Sequence, residues 1–108
     1  MATFQDFENN LKTALGVIIQ KNYADFVNEA GTDATTFLNE AKNDLVKWTG
    51  LFAANSIDKD ELTALVESDK DLLELHALKQ AGLAQARWDL FVNSVIETTI
   101  SVAVKTFV

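Results

Sequence analysis

The sequence predicts an all-α protein: an elongated antiparallel bundle of three long helices and one short helix, forming a single domain over residues 1–108. Three observations lead there. The chain has no proline and only four glycines, so little in it interrupts a helix. Apolar residues recur at threes and fours over most of its length, which is the period of one helix face rather than the alternation of a strand. With 48% hydrophobic and 23% charged residues, the composition is that of a chain that buries a core.

The first helix is expected over residues 4–30. Thr3 is its N-cap, with the acid Asp6 three residues on, where a capping box prefers Glu or Gln. Phe4, Phe7, Leu11, Leu15, Ile18 and Ile19 form one stripe, which Phe26 extends. Gly16 lowers propensity by about 1 kcal/mol without breaking the helix, and Gly31 supplies the left-handed residue that stops it.

A second helix is expected over 34–54, capped by Thr32 or Asp33 and striped by Phe37, Ala41, Leu45, Trp48 and Phe52. Asn55-Ser56 ends the pattern. The short third helix spans 57–67, capped by Ser56 or by Asp58, which has Glu61 three residues later.

The fourth helix is expected over 69–108, opening on the Ser68/Asp71 cap pair and meeting one breaker, Gly82. Unbroken, it reaches about 60 Å at about 1.5 Å per residue, so it either makes the bundle elongated or bends at Gly82. Ile100 to Lys105 alternates like a strand, but a lone strand has no partner here, and helix is the reading taken.

Composition narrows the function. Nine basic against sixteen acidic residues leave a net charge of −7, which repels nucleic-acid phosphates and anionic lipid. Seven of the acids lie between Asp58 and Glu74, against Lys59 and Lys70. A solvated helix face is the ordinary reading of that segment. The absence of cysteine removes disulfides and thiolate chemistry and fits a cytoplasmic setting. Met1 to Asp6 does not read as a signal peptide, and no uncharged apolar window reaches about eighteen residues, so no membrane span is expected.

No catalytic or metal-ligating residue is assigned, no cofactor is expected and the chain is read as a non-enzyme. His76 is the single histidine; Leu73 stands where a di-iron Glu-x-x-His motif needs glutamate, and zinc needs more nitrogen or sulfur ligands. No serine lies in a Gly-x-Ser-x-Gly setting, and there is no glycine-rich phosphate loop. Around Asp58 to Glu61 the chain also mimics the end of a calcium loop, yet Gly50, Phe52 and Ala54 occupy the earlier ligand positions, which excludes one.

The segment Asn55-Ser56-Ile57-Asp58-Lys59-Asp60-Glu61-Leu62 resembles the Asp-Ser-Leu attachment motif of acyl carrier proteins, which are acidic helical bundles. The resemblance spans about ten residues, with Asn55 in place of the aspartate. It implies an alternative function, a carrier or apolar-ligand-binding bundle with a phosphopantetheine arm on Ser56.

The favoured reading is a non-catalytic interaction or assembly protein. Trp88, Phe91, Val92, Val95, Ile96, Ile100, Ala103 and Phe107 spread apolar surface over a wide arc of the last helix. That arc exceeds what one neighbouring stripe covers, and large exposed apolar patches mark interfaces. These eight residues are therefore the expected interface of a homodimer or higher oligomer, with a further protein partner also open.

Overall fold

The computed structural model describes residues 2–70 and 77–108, and these contain helices and turns but no strand. The all-α class is as expected. Among the described residues five helices follow in order: α1 (Phe4–Asn22), α2 (Val27–Ala53), α3 (Lys59–Glu67), α4 (Ala77–Gln80) and α5 (Gln85–Phe107), with a 3-10 turn at Ala24–Phe26 between the first two.

Local chemistry fixes the starts of α1 and α3. The Thr3 hydroxyl accepts from the Asp6 amide at 3.2 Å while the Asp6 carboxylate accepts from the Thr3 amide at 2.9 Å. Asp58 and Glu61 make the same reciprocal pair at 2.8 and 3.1 Å, so Asp58, not Ser56, caps α3. Each pair satisfies amides that the first helical turn leaves without partners. Two residues past the end of α2, Asn55 has φ of 61°; the Ser56 amide reaches the Leu51 carbonyl and the Asn55 amide reaches Phe52. This left-handed exit absorbs the last carbonyls and turns the chain into α3.

The expected first helix over 4–30 is divided. α1 stops at Asn22, with neither glycine nor proline between it and Val27, where α2 has begun. Gly31 stops nothing; it lies inside α2, where a β-carbon would meet no atom within 4 Å. Helix continues there because Ala30, Asp33 and Ala34 are buried on the inward face. Thr32 is interior too, its hydroxyl donating to the Asn28 carbonyl at 2.9 Å. The long last helix is likewise interrupted. Gly82 has φ of +94°, a conformation costly to any side chain, and it separates α4 from α5. The bend at Gly82 is the outcome.

α2, about 40 Å long at about 1.5 Å per residue, sets the long axis of a molecule measuring 41 × 22 × 19 Å. α1 and α5 run antiparallel: Phe7 stacks on Phe107 with ring centroids 6.0 Å apart at one end, and Tyr23 meets Phe91 edge-on at 5.2 Å at the other. Phe7, Leu11, Leu15 and Ile19, four apart along α1, are all buried in that seam and against α2. Burying each such side chain is worth about 1.5–3 kcal/mol before chain entropy is charged against it. α3 reverses after the 54–58 turn and lays Leu62 and Val66 into the core beside α2 and α5. α5 thus touches α1, α2, α3 and α4, and a helix with neighbours on so many sides needs apolar residues over a wide arc.

Candidate interaction groove

Most of the side chains expected to form an oligomer interface are taken up by the chain's own core. Trp88, Phe91, Val95, Ile96, Ile100 and Ala103 are buried in the chain's own core, and Val92 and Phe107 pack half-buried at its edge. The apolar surplus that motivated the expectation is absorbed by α1, α2, α3 and α4. Of the large apolar residues on α5, Leu90 is exposed, at 62%, as is the following Val108. On length and composition alone α5 is able to cross a membrane, a test that the core helix of a soluble protein also passes.

Where α3 is too short to cover α5, a groove of about 390 Å³ opens between them. Ile96, Ile100 and Val104 of α5 form its apolar floor. Along α3 its wall is Lys59, Thr63 and Glu67; along α5 it is Glu97, Ser101 and Lys105. Each triplet is spaced by four, hence one residue per turn on one face. The four charged residues are exposed, and none makes an ion pair with another described residue. Because α3 runs back along α5, the lysines share one end of the groove and the glutamates the other. The sequence signal for this site was the line of polar residues every four positions along the last helix; its significance depends on α3 lying beside it.

Two other polar constellations are structural in character. Buried Asp33, 1% exposed, accepts from the amides of Ala77 and Leu78 at 2.9 and 3.0 Å, so α2 caps the start of α4 from a distance. Asp69, just past α3, sits against Asp44 of α2; burial and then the neighbouring carboxylate push its pKa up to about 6. Among the described residues its Oδ2 is buried without a hydrogen-bond partner.

Ser56 is exposed in the turn before α3, two residues ahead of the cap, and does not line the groove. His76 lies outside the described residues. Among the described residues, no three His, Cys, Asp or Glu side chains converge as metal ligands would. Compared with protein-family models, curated proteins and solved structures, the chain matches none of the three.

Proposed function

We propose that this chain is a non-catalytic helical interaction module whose working surface is the α3/α5 groove. The supporting observation is the combination of an apolar floor, Ile96, Ile100 and Val104, with a rim of four exposed charges that no described residue neutralises. An apolar centre inside a polar rim is the ordinary anatomy of a protein–protein contact. The apolar-ligand carrier is less well served. Two helices wall the groove, so an acyl chain would lie partly in water, and Ser56 stands outside the lining.

A photo-crosslinking amino acid placed at Thr63 in the native host tests this. Thr63 is expected to give protein adducts that the same probe at exposed Gln20 does not. Ser101→Trp, which fills the groove from an exposed position, is expected to suppress them. Equal adducts at both positions, or none at Thr63, would refute the reading.

A further inference from the structure

We infer that the partner seated on this groove is a second copy of the same chain, related by a two-fold axis that crosses the helices over Thr63 and Ser101. The inference rests on the groove being an interaction surface and adds what occupies it.

The argument is one of charge order. Lys59-Thr63-Glu67 reads plus, neutral, minus along α3, and Glu97-Ser101-Lys105 reads minus, neutral, plus along antiparallel α5. The rim therefore has a cationic end and an anionic end, with a small hydroxyl residue midway on each wall. A self-complementary contact requires every feature to meet its own rotated image. Rotation about an axis in the contact plane and perpendicular to the helices brings Lys59 over the second copy's Glu67 and Lys105 over the second copy's Glu97. Thr63 and Ser101 then meet themselves, where small side chains allow close approach. Rotation about the helix direction would instead set lysine on lysine, so the charges select one orientation.

Net charge points to the same face. Two copies carry −7 each and repel over most of their surface. The rim, with two lysines and two glutamates, is locally neutral. It is where two acidic chains can meet without added repulsion.

Sedimentation equilibrium is the first measurement: the chain is expected at twice its 11.9 kDa mass, shifting toward monomer as salt rises. Reversing both glutamates (Glu67→Lys with Glu97→Lys) should weaken self-association on the order of tenfold or more. Reversing both lysines (Lys59→Glu with Lys105→Glu) should do the same, and mixing the two variants should restore a dimer. All four positions are exposed, and circular dichroism verifies that the variants fold. Register is read separately, since the chain has no cysteine of its own. Ser101→Cys should form a disulfide with its own copy under mild oxidation. Lys105→Cys should not, yet should cross-link when mixed with Glu97→Cys.

An 11.9 kDa species at all concentrations, or Lys105→Cys oxidising as readily as Ser101→Cys, overturns the inference. If the chain is monomeric while the Thr63 probe still captures another protein, the two-fold contact falls and the interaction reading stands. If the probe captures nothing, both fall.

Discussion

Arg87 holds Asp25 through a two-pronged contact, Nη1 to Oδ2 at 2.8 Å and Nη2 to Oδ1 at 3.0 Å, across sixty-two residues of sequence. The same guanidinium donates to the Asn22 carbonyl at 3.0 Å and lies over the rings of Tyr23 and Phe26, 5.4 and 5.7 Å from their centroids. One side chain from α5 thus closes the end of α1, faces both aromatics of the following turn and anchors that turn's acid. The Tyr23 hydroxyl donates to the Arg87 carbonyl at 3.3 Å, completing the latch.

Arg87→Ala is therefore expected to loosen the α1/α2 junction, read as faster amide exchange at Tyr23 to Val27 and a lower thermal midpoint. Arg87→Lys should recover little, because an ammonium cannot supply a planar fork to Asp25 and a third donor to Asn22. Full recovery by lysine would show that charge alone matters there.

Two aspartates titrate in opposite senses. The hydrogen bond from Arg87 holds Asp25 below the usual carboxylate range, so its contribution is present above that range and lost as pH falls through its lowered pKa. Asp69 behaves in reverse. With its pKa pushed up from 3.8 to about 6, the folded chain holds that proton more tightly than the unfolded one. Its stabilisation is present below pH 3.8 and lost as pH rises through about 6. Asp69→Asn should raise stability at pH 7 by on the order of 1 kcal/mol, a figure discounted for partial solvent access, and flatten urea midpoints between pH 4 and 7. An unchanged pH profile would remove the Asp44–Asp69 interaction from the account.

Asp33→Ala strips the acceptors from the Ala77 and Leu78 amides inside the protein. The expected cost is about 1–3 kcal/mol by urea denaturation. The loss of protection should centre on α4 and leave the α1 start, capped by Thr3, unchanged.

The glycines should divide by conformation. Gly31→Ala, in a helix with free space for a methyl group, should stabilise by about 0.5–1 kcal/mol. Gly82→Ala also has space but must adopt φ of +94°, and should destabilise by about 1 kcal/mol. Paired urea melts of the two variants should move in opposite directions.

Signals carried within four residues were readable in the sequence. Thr3 with Asp6, Asp58 with Glu61, and the buried four-spaced stripe of α1 all follow from local rules. The break at Asn22–Phe26 was not, because Arg87 makes it from the far end of the chain, while Gly31, a locally plausible stop, is outvoted by the burial of Ala30 and Ala34. How far α5 is covered by its own chain was hidden for the same reason. Its apolar arc was weighed against too few neighbours, whereas α4 adds Leu78 to the core and the turn after Gly82 adds Leu83, with Lys79 over the Trp88 ring. Polar residues every four positions were visible on α5; that their charges reverse those on α3 acquires meaning only when the two helices lie side by side.

Among the described helices the pairing of α1 with α5 is the most extensive, and it joins segments separated by more than sixty residues of sequence. During synthesis, Phe7, Leu11, Leu15 and Ile19 therefore leave the ribosome long before the residues that shield them. The growing chain must either tolerate that oily seam in water or shelter it until α5 emerges, and a product cut short before Gln85 would remain sticky.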